Sequence, residues 1–229
     1  MIRVLANDGL EASAVEALQA LGAEVVTDHI DQAVLGEAVR DYDVLIVRSA
    51  TKVTADVSEK ANGGKLKLVI RAGVGVDNID IPAAKANGIE VKNTPNASSN
   101  SVAELAIGHM FALARYIAIS NVTMRNGEWN KKKYQGSEIL GKTLGIIGMG
   151  RIGRSLAEKA EALGMKVVYT DLFGKQDSLS YDFLELEDLL KTSDFISLHV
   201  PYDKNQGSLI GKKQFDMMKD GVFLIDCAR

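Results

Sequence analysis

The hexapeptide Gly148-Met149-Gly150-Arg151-Ile152-Gly153 is the stretch whose spacing most directly suggests chemistry. It has the pattern G-x-G-x-x-G, follows the apolar run Thr143–Ile147 and opens an amphipathic repeat of Ile152, Leu156, Ala157, Ala160 and Leu163. In that context each glycine has a task. Gly148 permits a tight turn, Gly150 lets a pyrophosphate approach the backbone, and Gly153 lets the helix pack closely on the strand. The first amides of the helix then face the phosphates. A second strand-like run, Lys166–Thr170, ends at Asp171. That is close to the position, roughly 20 residues on, of the acid that bonds the adenosine ribose hydroxyls. A carboxylate there repels a 2′-phosphate, and Leu172-Phe173-Gly174 supplies no arginine, so NAD is expected over NADP. Two other readings stay open on these residues alone. One is a methyl-donor cofactor, which also uses an acid at a second strand end. The other is a plain α/β domain with a glycine turn and a capping aspartate.

Strand-like and helical runs that would position these groups alternate along the chain. In the first half the strands are Ile2–Ala6, Glu24–Thr27, Val44–Val47, Leu68–Arg71 and Ile89–Lys92, with helical patterns Ser13–Leu21, Ala33–Arg40, Thr54–Asn62 and Ile81–Asn87 between them. The polar segment Asn93–Asn100 interrupts the alternation, and one long helix is expected from about Ser101 to Arg115 or beyond. The alternation then restarts: strands Thr143–Ile147, Lys166–Thr170, Phe195–Leu198 and Val222–Ile225, with helices Arg151–Leu163, Leu184–Leu190 and Lys212–Met218. The fold class expected is α/β, two doubly wound parallel-sheet domains over 1–95 and 96–229.

Composition narrows the partners. With 27 Lys+Arg against 30 Asp+Glu the net charge is −3, which gives no electrostatic footprint for nucleic acid. A single cysteine, Cys227, fits a reducing compartment, and the cytoplasm is expected. The N-terminus starts at once into a strand-like run with no signal-peptide pattern. The most apolar stretch, Leu105 to Ile119, is interrupted by Gly108, His109 and Arg115, so no membrane partner is expected. Nor is a metal site. His109 is read as a packed interior or interface residue, and the lysines Lys131–Lys133 as a solvated face.

Over nearly its whole length the chain resembles the D-isomer-specific 2-hydroxyacid dehydrogenases, most of all their D-3-phosphoglycerate dehydrogenase branch. The segments carrying the likeness are VRSATKVT (47–54), RAGVGVDNID (71–80), NTPNASSNSVAELAIGHMFALAR (93–115), GKTLGIIGMGRIG (141–153), SLHVP (197–201) and the final CAR. The resemblance implies a flavodoxin-like substrate domain, a Rossmann-like NAD domain and a homodimer formed through the helix near 101–119. It assigns Arg151 and Ile152 to the pyrophosphate, Asp171 to the ribose and Val200 to the adenine side. Cys227, Ala228 and Arg229 fall at the nicotinamide end, with Val74 touching it from the other domain. Arg48, Arg71, the Val74 and Gly75 amides and Asn96 would face a small anionic 2-hydroxy or 2-keto acid, as guanidinium groups and glycine-turn amides suit carboxylate and phosphate. An ion pair is the competing reading of Arg48 and Arg71.

Arg229 matches the family's catalytic arginine, which binds the substrate carboxylate and carbonyl oxygen and stabilises the developing alkoxide. The family's other two catalytic groups, a histidine and the glutamate that holds it, match nothing among the 229 residues. His29 lies in a loop, and His199 belongs to the LHVP segment. Asp226 stands where asparagine is more usual. A dehydrogenase cut short after CAR, inactive by itself, is therefore the expected reading. A short dinucleotide-binding or interaction module without turnover is the alternative, as is another 2-hydroxyacid dehydrogenase acting on glyoxylate, hydroxypyruvate or lactate. Oxidation of 3-phosphoglycerate in serine synthesis is the activity the branch implies.

Overall fold

The computed structural model describes residues 1–201 and 207–228. The chain divides into two compact units, Met1–Ser98 and Ser99–Arg229.

The first unit runs β1 (Ile2–Ala6), α1 (Ala12–Ala20), β2 (Ala23–Val26), α2 (Leu35–Ala38), a 3-10 turn (Val39–Asp41), β3 (Val44–Val47), α3 (Ala55–Ala61), β4 (Leu68–Arg71), α4 (Ile81–Ala86) and β5 (Glu90–Asn93). Its sheet is parallel throughout, in the order β2-β1-β3-β4-β5. Apolar clusters cover both faces: Leu5, Leu35, Leu45, Val57 and Val69 on one, Val4, Ala6 and Ile46 on the other. Parallel strands covered in this way carry near-continuous apolar runs, as VLIV in β3 does. Thr54 caps α3 by accepting from the Val57 amide, and Asp80 caps α4 by accepting from the Ala83 amide. α1 is peripheral: none of its residues is fully buried, so its apolar stripe is only partly covered.

The second unit begins with α5 (Ser99–Ala114) and α6 (Ile117–Arg125). There follow β6 (Thr143–Ile147), α7 (Arg151–Ala162), β7 (Lys166–Thr170), β8 (Asp182–Phe183), α8 (Leu186–Thr192), β9 (Phe195–Leu198), α9 (Lys212–Phe215) and β10 (Phe223–Asp226). This sheet is also parallel, in the order β10-β9-β6-β7-β8. One face packs Met110, Leu144, Ile146, Leu156, Tyr169 and Phe195 against α5 and α7. The other packs Ile147, Leu189, Leu190, Ile196 and Leu198. Phe195 and Phe223 stack at 4.9 Å between neighbouring strands.

Three features differ from the sequence expectation. The long helix is two helices: Tyr116 takes a left-handed conformation (φ 54°, ψ 33°), and α5 and α6 meet at 60°. The Ala114 carbonyl is captured there by the Ser137 amide at 2.9 Å. Gly136 makes that docking possible, since a Cβ would overlap the same carbonyl. β8 was not expected, because two residues are too few to show a period. Of the two readings of His109, the interior one fails, because the residue is exposed on α5. No single helix among the described residues is long and apolar enough to cross a membrane.

Candidate cofactor and anion sites

In the second unit the strand order reverses direction between β6 and β9. Ligands of doubly wound sheets bind outside the carboxyl ends of the strands at such a point. The glycine turn lies there. Gly148 has φ +97°, and a Cβ on it would come within 2.8 Å of the His199 carbonyl and of Val200 Cγ1. A Cβ on Gly153 would overlap the Gly148 carbonyl, so α7 can pack this closely only with glycine. Gly150 is different: a Cβ there would meet nothing within 4 Å. Space is therefore open beside the start of α7, where Gly150 offers no side-chain cap and the first amides lack helical partners.

Asp171 follows β7. Its Oδ2 accepts from the Met149 amide at 2.7 Å and its Oδ1 from the Phe173 amide at 3.0 Å. An ionised carboxylate has about four lone-pair sites, so both oxygens keep capacity for ribose hydroxyls. The turn is held from its other side by Arg154, whose Nε donates to the Met149 carbonyl at 3.2 Å and whose Nη2 donates to Gln176 Oε1 at 2.5 Å. The Gln176 amide in turn donates to the hydroxyl of the fully buried Tyr169 at 2.8 Å. Free helix amides, an open glycine and an acid at the second strand end suit a dinucleotide: Arg151 and Ile152 would hold the pyrophosphate and Asp171 the ribose. When bound, NAD supplies hydride acceptance and release.

His199 continues from β9. Its Nε2 lies 2.9 Å from Ser197 Oγ, while its buried Nδ1 has no hydrogen-bond partner among the described residues. Burial pushes its pKa down to about 4, against the opposing charge of Asp226, so the ring is neutral at pH 7. Val200 lies half-buried against the turn. At the end of β10, Asp226 is part of the strand and accepts from the Ala228 amide at 2.9 Å. Cys227 and Ala228 are half-buried, and the Cys227 thiol is raised by burial and then by Asp226. Arg229 lies outside the described residues.

The first unit has the flavodoxin-like order, with its reversal between β1 and β3. Arg48 follows β3 and Arg71 ends β4, the register pairing Val47 with Arg71. Arg48 is exposed, and its guanidinium makes no hydrogen bond or ion pair with any described residue. Arg71 is 8 % exposed, and its buried Nε has no partner among the described residues. Its guanidinium lies across Gly73, where a Cβ would overlap it. The ion-pair reading of both arginines thus finds no described partner. Val74 is exposed and Gly75 half-buried in the turn after β4, which Asn93 Nδ2 steadies through the Val74 carbonyl at 2.6 Å. Asn96 is exposed in the turn after β5, the strand whose last residue Asn93 is in register with Arg71.

Sequence reasoning missed the polar cluster behind Arg48: Asn7, Asp8, Thr51 and Asn78. The signal was present, since Asn7-Asp8 directly follows β1 at the point where the strand order reverses.

Residues 107–229 match the profile of the D-isomer specific 2-hydroxyacid dehydrogenase NAD-binding domain. Across the chain, a hydroxypyruvate reductase of Thermotoga maritima is 46% identical over 228 residues, covering 99% of this chain and 74% of the relative. The chain belongs to the D-isomer-specific 2-hydroxyacid dehydrogenase family. A D-3-phosphoglycerate dehydrogenase of Methanocaldococcus jannaschii is 43% identical over 233 residues, but the chain spans only 44% of that longer protein. A solved structure of a protein from Thermus thermophilus superposes with a TM-score of 0.88 at 34% identity, covering all of this chain and 74% of the other. The family's members are oxidoreductases, their cofactor is NAD(H), and their substrates are 2-hydroxy or 2-keto acids.

Proposed function

We propose that the chain carries the cofactor and substrate sites of an enzyme that oxidises 3-phosphoglycerate to 3-phosphohydroxypyruvate with NAD, and that by itself, with no residue matching the family's histidine and glutamate, it does not turn over. The observation carrying this choice within the family is the pair of arginines without described partners at the ends of β3 and β4. Arg48 comes one residue after Val47, the β3 residue in register with Arg71, so the two cationic residues stand at the same carboxyl edge of adjacent strands, which run about 4.8 Å apart. A buried guanidinium without a counter-ion is costly, and Arg71 recovers that cost when an anion docks. Every 2-hydroxy acid brings a carboxylate; a phosphorylated one brings a second anion for the second arginine. The 46% identical hydroxypyruvate reductase favours a second reading, a small keto acid with one anionic group.

Calorimetric titration of the NADH-saturated chain separates the two. The phosphoglycerate reading expects 3-phosphoglycerate to bind at least about tenfold more tightly than D-glycerate or hydroxypyruvate, one good charge-assisted contact being worth about 1.5–3 kcal/mol. Equal affinities would support the hydroxypyruvate reading. The oxidation implies a place in serine synthesis. We also propose a homodimer through α5 and α6, which leave Leu105, Leu113, Ile117 and Val122 exposed, and residence in the cytoplasm, which suits the free thiol of Cys227.

A further inference from the structure

The loop after β3 is held by side chains from elsewhere in the first unit. Asp8 Oδ2 accepts from the Arg48 amide at 2.6 Å and from the Thr51 amide at 3.2 Å, while Oδ1 accepts from Thr51 Oγ1 at 2.5 Å. Thr51 is buried, and its hydroxyl also accepts from Asn7 Nδ2 at 2.8 Å. Asn7 is fixed in turn: its Oδ1 accepts from the Ile30 amide at 2.7 Å, and its Nδ2 reaches the Ile30 carbonyl at 3.1 Å. From another direction, Asn78 Nδ2 donates to the carbonyls of Arg48 at 2.9 Å and Thr51 at 2.7 Å. The 48–51 loop is therefore gripped by its amides through Asp8 and by its carbonyls through Asn78.

An acid so close to a candidate anion site needs a reason. A carboxylate with unsatisfied lone pairs would pair with Arg48 or repel an incoming anion. Asp8 does not pair with it: the guanidinium of Arg48 makes no contact with it, and all three donors come from the loop backbone and Thr51. Burial alone would raise the Asp8 carboxyl. The hydrogen bonds from Thr51 and Arg48, with the charge of His29, outweigh burial and hold it below its ordinary value. The charge is absorbed in shaping the loop.

We propose that Asp8 is a positioning residue for substrate selection: it fixes the 48–51 loop so that Arg48 is presented to the second anionic group of the substrate. The inference rests on Arg48 and Arg71 as the anion-binding pair. It is tested by calorimetry on the NADH-saturated chain and its variants Asp8→Asn, Thr51→Val and Arg48→Ala, with 3-phosphoglycerate and D-glycerate as ligands. Asp8→Asn and Thr51→Val should each weaken 3-phosphoglycerate by about tenfold and leave D-glycerate and NADH within about twofold. If Asp8 acts only as a nearby negative charge, Asp8→Asn will tighten both anions, which overturns the proposal. Equal weakening of both anions, with a lower melting temperature, would show a merely structural role and overturn it too. Arg48→Ala separates the levels. If it leaves 3-phosphoglycerate binding intact, the two-arginine reading itself fails. If it weakens binding while Asp8→Asn and Thr51→Val do not, only the positioning role fails.

Discussion

The two sheets share an architecture and treat their reversal points oppositely. At β6/β9 the crevice is lined by glycines, the first backbone amides of α7 are left without helical partners, and the open side of Gly150 leaves room for a large ligand. At β1/β3 the same kind of crevice is filled by the protein's own Asn7, Asp8 and Thr51. On the proposed reading, recognition there falls to Arg48, directly after β3, and to Arg71, at the end of β4 one strand along. On that reading the difference follows ligand size. A dinucleotide needs an extended surface free of side chains, whereas a small anion needs a few charged groups held still, and holding them still uses the crevice.

The contrast can be broken most forcefully at Gly153. Gly153→Val should drive a side chain into the Gly148 carbonyl, cost about 3 kcal/mol or more, and abolish NADH fluorescence enhancement, while the first unit keeps its circular-dichroism signal. Retained cofactor binding would mean that close packing of α7 is not what shapes the turn. Next comes Arg71→Met. It should lower 3-phosphoglycerate affinity at least about thirtyfold yet raise the melting temperature, because replacing an unpaired buried charge by an apolar chain commonly stabilises, by about 1 kcal/mol or more. A parallel loss of stability and binding would show that Arg71 has a stabilising partner beyond the described residues, none of which pairs with it. Asp171→Asn keeps an acceptor for Met149 but removes the charge, so the preference for NADH over NADPH, read by equilibrium binding, should narrow about tenfold.

The smallest effect at neutral pH is expected of His199→Gln. The unfolded histidine titrates near 6.5 and the folded one near 4, so between these values the unfolded chain binds more protons. The contribution of His199 is full above about pH 6.5 and is lost as pH falls toward 4, by about 3 kcal/mol at most. The variant's melting temperature should therefore fall less than that of the parent chain across this interval. Identical acid profiles would show that the histidine is not held neutral by burial.

Most of the scaffold was legible because parallel strands covered on both faces leave continuous apolar runs. VLIV at 44–47, TLGII at 143–147 and KVVYT at 166–170 could be placed to the residue. The glycine turn was legible because its constraints are steric and local. The break at Tyr116 was hidden, since its cause is the distant Ser137 amide and the gap left by Gly136. The exposure of His109 was hidden for a related reason: an almost wholly small and apolar helix does not reveal from sequence which side is covered. The Asp8 cluster was missed because its partners are some 40 residues away in the chain, and only the strand order brings them together.

Hydrogen exchange followed by mass spectrometry, on the intact chain with each ligand in turn, addresses the division of labour between the two crevices most directly. NADH should protect amides in 148–153 and near Asp171 while leaving 46–52 unchanged, and 3-phosphoglycerate added to the NADH complex should then protect 46–52 and 71–76. Protection of 46–52 by NADH alone, or of 148–153 by 3-phosphoglycerate without cofactor, would contradict the account.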